Sequence, residues 1–236
     1  GTVAVWSDGE TRFAGEITAR GRGAGAGGAI ETSGHHLTVE GTASASSERG
    51  KAGKWLLDPS NIWIDDSQPS TGTVHGGSNN ITADDTYLKA AQITSVLNAG
   101  TSVELVTGNP TSHSNEGNIT VKSAIVKTAG NDATLTFKAA QNIVVDADIK
   151  STAGALNLDF QSDTDSHGGG YIKVGAVNLE TNGGSILLHG GTMVDGVGFA
   201  SSDNAEAGIE LNGTQVKTGG GDVTLYGTTS PTNRHG

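Results

Sequence analysis

From residue 118 onward the chain runs in short stretches of alternating aliphatic and polar residues, punctuated by Gly, Asn and Asp. Four stretches share one pattern: NITVKSAIVKTAG (118–130), NIVVDADIKSTAG (142–154), YIKVGAVNLETNGG (171–184) and GIELNGTQVKTGGG (208–221). Each leads into a second alternating run: ATLTF, LNLDF, SILLHG and DVTLYG. Alternation over a few residues, bounded by turn formers, predicts strand rather than helix.

The spacing predicts how these strands associate. The first Ile of each repeat is Ile119, Ile143, Ile172 or Ile209, and the Leu of its second run is Leu135, Leu158, Leu188 or Leu225. The separation within each pair varies by no more than one residue. The return segments, Phe137 to Ile143, Phe160 to Ile172 and Gly190 to Ile209, grow progressively, with Gly190 in the place of the two Phe residues. Length variation is therefore expected at a single corner. The shortest repeat, Ile119 to Ile143, is 24 residues and accommodates three short strands and three turns. That is one coil of a parallel β-helix, in which like residues stack at roughly 4.8 Å. Gly, Asn and Asp supply its tight corners.

The first half follows the plan less regularly. GEITARGRG, GAIETSG and HHLTVEG (15–41) read as short strands. In ADDTYLKAAQITSVLNAG (83–100), Leu88, Ala91, Gln92, Ser95 and Val96 fall at helical spacing. Asp84 or Asp85 would cap the start and Gly100 the end. This predicts a short helix near 84–98 that leaves the coil and rejoins it at SVELVTG. GKWLLDPSNIWID (53–65) holds two of the three Trp residues around an Asp58-Pro59 turn. Trp55 and Leu57 share one strand face; Ile62 and Ile64 share another, with Trp63 opposite them. The segment reads as a corner where the register changes, its aromatics covering apolar surface that no regular coil covers. A sugar-stacking platform on Trp63 is the alternative. The expected architecture is all-β, one β-helical solenoid domain over 1–236. Irregular coils and the helical insertion fall in 1–106, regular coils in 107–236.

Composition narrows the function. The formal charge is −11, which argues against nucleic acid and against an anionic membrane surface. With no Cys there are no disulfides and no thiolate metal sites. No apolar run approaches the roughly 20 residues needed to span a bilayer. No signal peptide is recognisable, and the abrupt start at GTVAV reads as a cut from something longer.

Candidate chemistry is sparse. Asp146 and Asp148 are expected on one strand face and Asp159 outward, the arrangement of solvated acids rather than of a hydrolase pair. No Arg occurs between Arg49 and Arg234, so a lyase of the polysaccharide-cleaving β-helix type would lack its cationic base. DTDSHGGG (163–170) opens like a calcium loop, with Asp163, Asp165 and His167, but lacks the later glutamate and reads as turn chemistry. Adjacent His35 and His36 are expected on opposite strand faces, unable to chelate together. Gly23, Gly25 and Gly28 satisfy G-x-G-x-x-G without a βαβ unit. No metal or cofactor is expected.

The strongest candidate surface is the variable corner, where insertions 161–170 and 191–208 follow equivalent strands and are expected to lie one above the other. Met193, Val194, Val197 and Phe199 make the second insertion more apolar than a solvated loop requires. Together the loops form either a cap over the coil or a ligand contact. The candidate ligand-binding residues are Trp63, Asp163, Asp165, His167, Met193, Val197 and Phe199.

GGAIETSGHHLTVEG, then GKWLLDPSNIWI, a helix-like stretch ending LNAGTSV, and NITV repeats occur in order at Gly27–Leu37, Trp55–Pro59, Leu97–Val103 and Asn118–Val121. This ordered set resembles the filamentous-haemagglutinin-like exoproteins of two-partner secretion and covers most of the chain. The family's N-P-N-L segment is not found, which points to a region downstream of the secretion domain. The resemblance implies a right-handed parallel β-helix, exported through the Gram-negative outer membrane by a partner pore. It further implies a secreted or cell-surface, non-enzymatic adhesin segment, monomeric, which meets host cells or biofilm polysaccharide. A carbohydrate-binding module within the adhesin is the alternative, with a polysaccharide-degrading enzyme behind it. Some family members are glycosylated at N-x-[ST] sites, which here are Asn80, Asn118 and Asn212.

Overall fold

The computed structural model describes residues 1–68, 85–108, 117–166, 169–194, 196–202 and 207–228. Among them the chain coils through three long parallel sheets, as a parallel β-helix does, with a two-stranded parallel pair, Glu16–Thr18 and Thr42–Ser44, beside the first coils. The longest has eight strands, in the order Thr2–Phe13, Ala29–Val39, Lys54–Asp58, Ser102–Val106, Ala133–Lys138, Leu156–Ser162, Ile186–Gly190 and Val223–Leu225. The second has six: Ile209–Leu211, Ile172–Val174, Ile143–Val145, Ile119–Val121, Asn61–Ile64 and Asp85–Leu88. The third has four: Ile125–Lys127, Ile149–Ser151, Asn178–Glu180 and Gln215–Lys217.

Register places like over like. Ile62, Ile119, Ile143, Ile172 and Ile209 form one continuous row. Ile64, Val121, Val145, Val174 and Leu211 form the row beside it. In the long sheet Ile30, Trp55, Val103, Leu135, Leu158, Ile186 and Val223 stack in order. Phe137 and Phe160 lie nearly flat on one another, with ring centroids 4.4 Å apart. Except at the last coil, these residues belong to one buried cluster, so apolar side chains are dried by their neighbours in the stack rather than by a second layer.

Three expectations are corrected. Leu158 lies beside Ile186, so Leu188 takes the place beside Phe160, and Gly190 lies beside Ser162. The half-coil therefore shortens from Ile119–Leu135 to Ile172–Ile186 and Ile209–Val223, and length variation is not confined to one corner. A slide of two residues preserves the inward face, so alternation alone is blind to it.

The helix spans only Ala90–Asn98. Asp85–Leu88 is instead a strand paired with Asn61–Ile64, and Asp84 lies outside the described residues. Asp66 Oδ1 accepts the Ala90 N–H at 2.8 Å, and Gln92 Oε1 accepts that of Lys89 at 2.9 Å. The helix start is thus satisfied by a distant carboxylate, which freed Asp85 for the sheet. Nor does the helix leave the coil. It buries Ala90, Ile93, Val96 and Leu97 and packs against Ile125–Lys127, the edge strand of the third sheet.

Finally, Trp55 does not cover the coil; it fills the interior, edge-on to Phe13, and its indole N–H donates to Thr32 Oγ1 at 3.0 Å.

At the last described coil the inward residues have no successor. Val223 is 47% exposed and Leu225 42%. Phe160→Ala is expected to cost about 3–5 kcal/mol in urea unfolding, because its neighbours Phe137 and Leu188 cannot collapse into the gap. Val223→Ala, at the open end, should cost less than about 1 kcal/mol.

Candidate functional site

The two insertions do stack. The Gly191 N–H donates to the Ser162 carbonyl at 2.9 Å, and the Ser201 N–H to the Gly170 carbonyl at 2.9 Å. Between them lies a small polar knot. Thr192 Oγ1 donates to Asp163 Oδ2 at 2.5 Å and contacts Ser201 Oγ at 3.0 Å; Ser162 Oγ donates to the Gly170 carbonyl at 2.7 Å. Glycine is required here, since a Cβ on Gly191 would collide with the Asp163 carbonyl oxygen. Asp163 has a left-handed backbone (φ 53°) and is 1% exposed. It ties one insertion to the next and faces no open site. Asp165 is half-buried in the same turn, and His167 lies outside the described residues. Among the described residues no three His, Asp or Glu side chains cluster as a metal site would need.

The second insertion has two parts. Thr192–Val194 pairs antiparallel with Val197–Phe199 around Gly196, whose φ is 81°. Val197, at the projecting end, is 37% exposed. Behind it the chain returns to the stack. Phe199 sets its ring edge-on to Tyr226 at 5.7 Å. Ala200 is buried, donating to the Tyr226 carbonyl and accepting from the Thr228 N–H, both at 2.9 Å. Phe199 and Ala200 thus pack onto the last coil, Ser201 is bonded back to Gly170, and the hairpin tip projects. Of Met193 only the backbone, in the hairpin, is described.

Trp63 is not part of this corner. It lies on the outer face of the six-stranded sheet, in the row Tyr87, Trp63, Thr120, Val144, Lys173 and Glu210. One face of its ring is taken by Tyr87, stacked at 6.3 Å with 20° between planes. Burial, then Asp85 and Asp65, push the Tyr87 phenol up to about 12.

Polar side chains also hold the corners. Asn61 Oδ1 accepts the Asn118 N–H at 2.9 Å, Asn118 Oδ1 accepts Asn142 Nδ2 at 3.0 Å, and Asn142 Oδ1 accepts the Tyr171 N–H at 3.0 Å. Asn118 is thus one rung of an amide ladder. Asn212 is exposed on the last coil, and Asn80 lies outside the described residues. Lys127 points inward. Its ammonium donates to the carbonyls of Ala129 at 2.7 Å, Gly130 at 3.1 Å and Ala153. Burial lowers its pKa. The alternation Ile125-Val126-Lys127 carries the signal that would have placed it inward.

The acids are engaged individually. Asp146 and Asp148 do not share a strand face; both lie in the turn between Ile143–Val145 and Ile149–Ser151. Asp146 meets Lys122 at 2.5 Å and Asp148 meets Lys150 at 2.7 Å. Asp159 points outward as expected and contacts His189 Nε2 at 3.0 Å. The His35 and His36 rings do not diverge to opposite faces but meet edge-on at 4.7 Å. They lie where the neighbouring strand shifts register, between Ser7 and Glu10, and the local loss of alternation brings them together.

On the outer face of the long sheet, burial first, then the carboxylates of Glu31 and Glu104, push the Asp58 carboxyl up to about 6. Burial also pulls the Glu104 pKa up, but hydrogen bonds from Lys138 (2.6 Å) and Lys54 outweigh it and hold Glu104 below its ordinary value.

Against models of known protein families the chain gives no match, and no curated protein matches it significantly.

Because the folded protein favours protonated Asp58, its contribution to stability is full below 3.8 and is lost as pH rises through about 6. Asp58→Asn should therefore raise stability by about 1 kcal/mol at pH 7.5, a value discounted for the water that still reaches this half-buried group, and leave it unchanged near pH 3.5. Urea titrations of both proteins at the two pH values check this.

Proposed function

We propose that the chain is a non-enzymatic segment of a secreted or cell-surface adhesin. Its β-helical stack serves as shaft, and the stacked insertions are displayed for contact with host cells or biofilm matrix. The observation that carries this reading is the second insertion. It is anchored at its base by Ala200 and Ser201 and presents an exposed apolar tip at Val197, on a scaffold of stacked coils. The ordered resemblance at Gly27–Leu37, Trp55–Pro59, Leu97–Val103 and Asn118–Val121 supplies the context: a Gram-negative exoprotein exported by a partner pore in the outer membrane.

A carbohydrate-binding module within the same adhesin is the second reading. In its favour, Trp63 stands half-exposed on the outer face beside Tyr87, which leaves part of an indole for a sugar ring. N-glycosylation in this reading falls more readily on exposed Asn212 than on Asn118, whose amide is bonded along the stack.

The test is binding of labelled protein to epithelial cells and biofilm polysaccharides. The comparison is a variant in which 193–198 are replaced by a short Gly turn, keeping Ala200 to Ser202. Saturable binding lost in the variant, with the melt unchanged, is the expected result. Binding that survives the tip replacement but not Trp63→Ala favours the second reading. A folded parent that binds neither cells nor polysaccharide overturns both.

A further inference from the structure

The edge of the long sheet opposite the insertions carries a groove of about 970 Å3. Its lining comes from four successive coils, so it follows the axis of the stack. Gly100, Gly130 and Gly154 line it, all left-handed, with φ of 72°, 77° and 67°. Gly130 leaves no alternative, because a Cβ there would collide with the Asn98 carbonyl oxygen. One side is the outer row of Ser102, Thr134 and Asn157. One end is closed by Ser47 and residues 49–52, which carry Arg49 and Lys51; Glu48 is not among the lining and accepts the Gly23 N–H at 3.1 Å. Both cations are exposed, and neither makes an ion pair among the described residues.

Three properties define what fits. The first is charge. In a chain of net charge −11, this groove has two cationic side chains against one carboxylate, Asp132, which already accepts the Ala155 N–H at 2.8 Å. The buried Lys127 ammonium adds positive charge beneath, bonded to the Ala129 and Gly130 carbonyls of the same turn.

The second is hydrogen-bond sense. Ser102 Oγ accepts the Thr134 N–H at 3.0 Å, and Asn157 Oδ1 accepts the Ser185 N–H at 2.9 Å. The stack uses their acceptor oxygens, leaving the Ser102 hydroxyl proton and the Asn157 amide hydrogens to donate to a ligand. The groove asks for acceptors.

The third is period. Its polar groups recur once per coil, at roughly 4.8 Å, close to the length of one sugar ring in an extended glycan. An extended peptide advances about 3.3–3.6 Å per residue and falls out of step at the next coil.

We propose that this groove binds a linear polysaccharide bearing carboxylates, with one uronate ring per coil and a carboxylate paired to Arg49, whose planar fork matches it. The inference rests on the adhesin reading only for the availability of such a polymer at a cell surface; its site is separate from the hairpin.

The experiment is calorimetric titration of the full 236-residue chain with oligogalacturonates of defined length, alongside the same oligomers methyl-esterified and alongside polyglutamate. Affinity should rise with length until the oligomer spans the groove, weaken with salt, and fall at least about tenfold in Arg49→Ala/Lys51→Ala. Asn157→Ala should weaken it less. The melting temperature of the double variant should be unchanged, since both side chains are exposed. Equal binding by the double variant overturns the proposal, as does equal affinity for the neutral ester or for polyglutamate, or no binding of any acidic oligomer. The hairpin-tip replacement should bind oligogalacturonate like the parent, so failure of the groove and failure of the displayed tip are read separately.

Discussion

In this fold the backbone hydrogen bonds and the side-chain contacts run in the same direction, along the axis. Each inward residue must therefore suit the residue before it and the residue after it in the stack, and little else. Ile62, Ile119, Ile143, Ile172 and Ile209 satisfy that condition by being identical. Polar groups obey it too, since Asn61, Asn118 and Asn142 each pass a hydrogen bond to the next coil. Buried Lys127 serves two successive turns through the Ala129 and Ala153 carbonyls. A chain only 34% hydrophobic can fold this way, because a narrow interior is dried by few side chains per coil.

The rows of Ile and Leu made the coil legible in the sequence, since stacked coils demand strand alternation that returns at a near-constant interval. The positions that escaped are those where the pattern is degenerate or the partner distant. Leu188 could sit over Leu158 or over Phe160 without changing its face, and only the ladder decides. Asp85 looked like a helix cap because its neighbours in sequence allowed it. The cap came instead from Asp66, and Asp85–Leu88 joined the sheet. Asp163 reads as turn chemistry and takes that role, with φ of 53°, but the Thr192 hydroxyl whose hydrogen bond it accepts comes from the next insertion. The groove was invisible because its lining is drawn from residues 47 to 157, and no local window contains it.

The long sheet separates two surfaces. One edge carries the insertions, tied at their base and free at the Val197 tip. The other carries a groove built from turns whose conformation glycine permits. Neither surface disturbs the rows between them, since both are made from corners, where a residue answers to fewer neighbours.

The alignment of hydrogen bonds with the axis also governs how the molecule bears load. A pull applied between its two ends opens these bonds in sequence from a terminal coil instead of shearing many at once. With no cysteine in the chain, no covalent bond staples one coil to the next. Each coil released adds at least 24 residues of slack, on the order of 80 Å or more when extended, and leaves behind a fresh end much like the one just lost. Such a stack yields by lengthening stepwise, and on slackening it has a ready template on which each coil can rewind.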